Sequence, residues 1–150
     1  LRALEWKFVQ EEDGVGVTFQ APDVPSIHVG LKIAGARLVA TSAIDLPVPR
    51  EKWGEVLVDV NQFNATHFRP KVYLSMPSDS DTGMLIGEEV HDLAGGTTVE
   101  LVGAWIGGHA NAFATSVTSI LGGRRGCQKE GAVCPGWELY CSRFQDLLGQ

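Results

Sequence analysis

The stretch from Ile27 to Ile44 constrains this chain more than any other. Ile27, Val29, Leu31 and Ile33 alternate with His28, Gly30 and Lys32; Gly35-Ala36 then offers a turn, and Arg37–Ile44 runs back. Strict alternation on both sides of a short turn predicts an antiparallel hairpin with one buried face. Two further hairpins read the same way. Leu4–Val9 enters the acidic turn Glu11-Glu12-Asp13-Gly14 and returns through Val15, Val17 and Phe19. Val72, Leu74 and Met76 lead through the polar turn Ser78–Gly83 to a strand from Met84 to about His91. A parallel sheet needs long crossover connections, and hairpins leave no room for them. The sheet is therefore expected to be antiparallel.

Two segments switch to helical spacing. Pro47 and Pro49 close the strand region, and Pro49 suits the first turn of a helix. Trp53, Val56, Leu57, Val60 and Phe63 then mark one helix face, and Pro70 stops it. Further on, Gly95-Gly96 precedes Thr97-Thr98-Val99-Glu100, where Thr97 and Glu100 have the spacing of a capping box. The long helix that follows puts Leu101, Val102, Trp105, Ile106, Phe113, Val117 and Ile120 on one broad face before Gly122-Gly123. The order of strands, helix, hairpin and helix is α+β: an antiparallel sheet with a central helix and a long C-terminal helix packed on one face. Residues 1–122 form this domain. Residues 123–150 read as a Gly-rich linker and a cysteine-containing tail with a short helix. Along that helix Trp137, Tyr140, Cys141, Phe144, Leu147 and Leu148 share one side. A helix of that length is marginal alone and must dock, which makes Trp137, Tyr140, Phe144, Leu147 and Leu148 a candidate interaction surface.

Charge narrows the partners. The chain of 150 residues carries −6, split into −7 over residues 1–123 and +1 over 124–150. Phosphate backbones are bound by clustered cations, and the only adjacent pair here is Arg124-Arg125. Neither nucleic acid nor an anionic membrane surface is an expected partner. No apolar run reaches the ~18 residues of a membrane span, and the first residues lack a secretory pattern. Three cysteines cannot all pair within one chain. The chain reads as soluble and cytoplasmic.

The search for chemistry turns up little. His109 falls on the apolar arc of the long helix, where positions 105, 106, 112 and 113 are Trp, Ile, Ala and Phe. A catalytic or metal-binding histidine needs a partner in reach, and Ser116 lies about 10 Å along the axis. His109 is thus expected to be a core histidine bonded to backbone. Asn64 points into the core face of the central helix, and its amide is expected to pair with backbone where helix meets strand, with Asn61 helping from the flank. Asn61, Asn64 and His109 together make a structural polar core. Asn64-Ala65-Thr66 matches a glycosylation sequon, read as chance. Asp79-Ser80-Asp81-Thr82-Gly83 fails as a calcium loop, since positions six and twelve would be Met84 and Val90. Cys127, Cys134 and Cys141 recur every seven residues, unlike the close pairs of zinc sites. Gly14-Val15-Gly16 lacks the context of a nucleotide loop. No catalytic, metal-ligating or cofactor-binding residue is expected, and no cofactor.

A resemblance completes the reading. Leu4–Phe8 entering an acidic turn, the strands Ile27–Ile44, the motif Val60-Asn61-Gln62-Phe63-Asn64, the start Lys71-Val72-Tyr73-Leu74, Gly83–Gly87 and Gly96-Thr97-Thr98-Val99 are similar to the YbjN-type family. These are bacterial proteins described as sensory transduction regulators with a type III secretion chaperone-like fold. The resemblance covers about Leu4 to Leu121. It implies a leading helix (here Leu1–Leu4 at most), antiparallel strands, a helix, a hairpin and a last helix, with no cofactor and no established catalytic residue. The functional expectation is a non-enzymatic regulatory or chaperone-like module that binds another protein, with a homodimer as one form. The alternative is a small-molecule-sensing domain with a pocket between sheet and C-terminal helix near His109 and Trp105. A hydrolase assembled from distant residues is weaker still.

Overall fold

A computed structural model describes residues 8–11, 14–20 and 25–122. Seven strands form one antiparallel sheet: β1 (Phe8–Glu11), β2 (Gly14–Phe19), β3 (Ile27–Ala34), β4 (Arg37–Ile44), β5 (Val48–Pro49), β6 (Lys71–Ser75) and β7 (Thr82–Asp92). Neighbours run β1-β2-β3-β4-β7, with β6 on β7 and the short β5 pairing the first residues of β7. The β3–β4 hairpin turns at Gly35, whose φ of 62° is a conformation that side chains disfavour. Register runs from Ile27↔Ile44 to Ala34↔Arg37.

Alternation decides which face is covered. Ile27 and Val29 on β3, Ala40, Ser42 and Ile44 on β4, Val72 and Leu74 on β6, and Leu85 and Gly87 on β7 are buried. Helices α1 (Trp53–Thr66) and α2 (Val99–Gly122) pack on this side, adding Val56, Val60 and Phe63 from α1 and Ile106, Ala110, Phe113, Val117 and Ile120 from α2. Each large apolar side chain fully buried here contributes about 1.5–3 kcal/mol. Phe113 is wholly enclosed and lies against Gly87, where a Cβ would collide with its ring.

The helix ends explain themselves. Pro49 leads into a 3-10 turn, Arg50–Lys52, rather than into α1 itself, which starts at Trp53. At the other end Lys71 Nζ donates to the carbonyls of Asn64 and His67, and Thr66 Oγ1 donates to those of Gln62 and Phe63, filling acceptors a helix terminus leaves open. For α2 the cap is Thr98, not the expected Thr97: its Oγ1 accepts the Leu101 N–H at 3.3 Å. Leu101 is exposed rather than on the packed face, because it shares the outward stripe of α2 with Ala104 and Gly108 while Val102 beside it packs on the core. The interaction surface expected at Trp137–Leu148 and the linker before it lie outside the described residues.

Candidate functional site

Strands β4 and β7 bring Ser42 opposite Gly87 and Ala40 opposite Glu89. On α2, His109 is one turn before Phe113, and side chains four apart share a helix face. The missing side chain at Gly87 lets α2 approach closely enough for His109 to reach both strands. Ser42 Oγ is 2.7 Å from His109 Nε2, and His109 Nδ1 is 3.1 Å from Glu89 Oε2. The other Glu89 oxygen accepts from Arg69 at 3.0 Å and from the Trp105 indole at 3.1 Å. Trp105 lies between the rings of His91 and His109, with centroids 5.2 and 6.1 Å away.

Electrostatics fixes the protons. Burial pushes the Glu89 carboxyl up, but hydrogen bonds from Arg69, His109 and Trp105 outweigh it and hold the group below its ordinary value. Burial dominates at His109 and lowers its pKa, with the Glu89 carboxylate opposing. At neutral pH the ring is therefore uncharged. One tautomer satisfies every partner: Nδ1–H donates to Glu89 and Nε2 accepts the Ser42 hydroxyl proton.

Serine, histidine and carboxylate in this sequence of contacts share the hydrogen-bond order of a nucleophilic triad. Access separates them from one. Ser42 is 0% and His109 1% exposed. Three clefts, of about 410, 260 and 320 Å³, open elsewhere, and none is lined by Ser42, Glu89, Trp105 or His109. Among the described residues, Ser42 and His109 are closed off from solvent. What the arrangement does is satisfy buried polar atoms, tying α2 to two strands.

The sequence-derived residues fare differently. His109 is buried, but its partners are side chains from β4 and β7 rather than the backbone. Ser116 is turned away from it and donates to the Ala112 carbonyl at 2.7 Å. Asn64 donates Nδ2–H to the Val72 carbonyl at 2.6 Å and accepts the Val72 N–H at 3.0 Å. Asn61 is exposed and does not belong to the polar core: it lies about 60° round α1 from Asn64, enough to leave it on the solvent side. Sequence reasoning missed Ser42 and Glu89. The signal was present: Glu89 stands on the same alternate set of β7 as Leu85 and Gly87, an acidic residue at an inward position.

A second histidine relay occupies the other face of the sheet. Thr18 Oγ1 is 3.1 Å from His28 Nδ1, and His28 Nε2 is 3.0 Å from Asp45 Oδ2, with His28 and Asp45 exposed and Thr18 half-buried. Cross-strand registers align Thr18, His28, Ala43, Ile86 and Tyr73 in one row, and Val9, Gly16, Gly30, Thr41, Glu88 and Lys71 in the next. Val9, Tyr73, Met84 and Val90 are exposed on this face, which none of the described helices covers.

No protein-family profile matches the chain, and no curated protein matches its sequence. Among solved structures it is similar to the crystal structure of YbjN, a proposed transcription regulator from E. coli. The TM-score is 0.58 at 11% identity, over 93% of this chain and 85% of that one. At that identity the likeness establishes the fold: an α+β arrangement of an antiparallel sheet with a long C-terminal helix.

Proposed function

We propose that this chain is a non-enzymatic regulatory or chaperone-like module that binds another polypeptide on the uncovered face of its sheet. One observation carries the reading: both helices pack on one side, and the opposite side presents Val9, Tyr73, Met84 and Val90 to solvent across several strands. Tyr73, Ile86 and Met84 adjoin one another across β6 and β7, and exposed apolar surface beside polar groups, here Lys71 and Glu88, is characteristic of protein contact sites. The solved neighbour's description as a regulator is in keeping with this role. In this reading the buried Ser42–His109–Glu89 group ties α2 to β4 and β7.

The test places a photo-cross-linking residue at Tyr73 and, as a control, at Glu51 in cells that make the protein. A defined polypeptide cross-linked at Tyr73, lost when Val90→Glu is added and not found at Glu51, is the expected outcome. Equal labelling at both sites, or a partner indifferent to Val90→Glu, overturns the assignment. A thermal-shift screen against metabolites separates the classes: the interaction module leaves the midpoint unchanged, and a sensor raises it for one compound.

A further inference from the structure

The pairing along one side of β7 is interrupted at a single place. β4 pairs as far as Ala43↔Ile86, and β5 resumes at Val48↔Gly83. Residues 44–47 therefore stand against only 84 and 85, and the longer segment must bow away from the ladder. Within the bow the Leu46 N–H donates to the Ile44 carbonyl at 2.7 Å, a tight turn before Pro47. Between this bow and the turn joining β6 to β7 lies the cleft of about 410 Å³, a size common for ligand sites. Leu46, Pro47, Pro77 and Met84 give it apolar walls, and Ser75 is one of its hydroxyls. Asp45 is the only ionisable group among the described residues that line it. That carboxylate is held from two directions. The Asp45 N–H donates to the Ser26 carbonyl at 3.0 Å, and Asp45 Oδ2 is 3.0 Å from His28 Nε2, with Thr18 behind on Nδ1. One tautomer serves both ring contacts: Nε2–H donates to Asp45, and Nδ1 accepts the Thr18 hydroxyl proton. With His28 and Asp45 side chains 47% and 60% exposed, the relay contributes little to stability. What it fixes is the direction of a carboxylate at a cleft wall, so less rotamer freedom is left to lose on binding.

From this geometry we infer that the cleft receives an ammonium group on an apolar stem, the side chain of a lysine in the polypeptide bound on the uncovered sheet face. The inference rests on the reading above and deepens it. Ser75 and Met84 pair across β6 and β7 and also line the cleft, so a chain crossing that face reaches the cleft mouth. A lone carboxylate between low-dielectric walls attracts a cation and repels anions. It offers too few oxygens for a calcium or magnesium ion, and no group of three His, Cys, Asp or Glu among the described residues could hold a metal. With Oδ2 engaged by His28, a guanidinium fork loses its bidentate match, whereas an ammonium needs only a point charge and nearby acceptors. The four-carbon stem of lysine suits the apolar walls. His28 is a positioning residue in this scheme, acting on the lysine through Asp45.

The test titrates the full chain with a blocked lysyl tripeptide, acetyl-alanyl-lysyl-alanine amide, and follows backbone amide resonances. The expected result is saturable binding at millimolar peptide, with shifts concentrated at Gly83 and Met84. The norleucyl peptide, which keeps the stem and lacks the charge, should bind about tenfold more weakly. Asp45→Asn should weaken the lysyl peptide by about the same factor. Glu88→Gln, which removes a carboxylate from the same face outside the cleft, should leave it unchanged. His28→Leu should weaken it less than Asp45→Asn does, at an unaltered melting midpoint. Equal binding of lysyl and norleucyl peptides, a comparison made on the unmodified chain, overturns the proposal. So does tighter binding of putrescine than of the lysyl peptide, which would assign the cleft to a free amine. The two readings fail separately. A Tyr73 cross-link of unchanged yield in Asp45→Asn overturns the lysine site and leaves the sheet face standing, whereas a cross-link indifferent to Val90→Glu overturns the face itself.

Discussion

Two histidines stand on opposite faces of one sheet, each strung between a hydroxyl and a carboxylate at similar distances. Ser42, His109 and Glu89 are linked by 2.7 and 3.1 Å contacts, and Thr18, His28 and Asp45 by 3.1 and 3.0 Å. Their surroundings differ completely: the His109 side chain is 0% exposed and that of His28 47%. In water the outer relay exchanges its contacts for solvent at little cost, and exposed ion pairs contribute about 0–1 kcal/mol. The inner relay has no solvent to fall back on, so losing one member strands the others. Similar contacts, made through opposite ring nitrogens, therefore mean architecture on one face and marginal decoration on the other.

The largest expected effect is from removing the rings. His109→Ala should cost about 3–5 kcal/mol, because it opens a cavity and leaves a buried carboxylate short of a partner. His28→Ala should stay within about 1 kcal/mol. Chemical denaturation midpoints would show this, and equal losses would break the comparison. The glycines sharpen it next. Gly87→Ala drives a methyl into Phe113 and should destabilise by about 1–3 kcal/mol. At Gly30 the nearest atom to an added Cβ is the Thr41 carbonyl at 3.8 Å; alanine there should be neutral or stabilise by up to about 0.5 kcal/mol. Third, Ser42→Ala leaves His109 Nε2 without a donor and should cost about 1–3 kcal/mol, against under about 0.5 for Thr18→Ala.

The smallest effect is a pH slope. His109 is harder to protonate in the folded chain than its ordinary value of 6.5, so the unfolded state binds the extra proton first and stability falls as pH drops below that value. Glu89, held below its ordinary 4.5, adds stability that is present above that value and lost as pH falls through its folded pKa. Both act in the same direction, toward acid unfolding. Denaturation series from pH 7.5 to 5.5 should show wild type losing stability while His109→Phe shows a flatter profile.

How much of this was legible follows from how local each signal is. The β3–β4 hairpin and the packed stripe of α2 are written in neighbouring residues, and period alone reveals them. The cap of α2 was misplaced by one residue because Thr97 and Thr98 are chemically identical and only the chain path chooses between them. Glu89 and Ser42 were invisible as partners of His109 because 20 and 67 positions separate them from it. Only the register of β4 on β7, and the glycine that lets α2 come close, brings them together. Asn64 was legible as a helix-to-strand link, since an amide on an apolar face demands a nearby backbone.

That amide has a further consequence. Both hydrogen-bonding groups of Val72 are taken by a side chain, on a strand whose only described neighbour is β7. An incoming chain that tried to template itself there would meet an imitation of its own peptide group already in place. With Asn64 occupying that border, lateral pairing there has no free peptide group at Val72 to start from, and Asn64→Ala should speed fibril growth, read by thioflavin fluorescence, even where monomer folding survives.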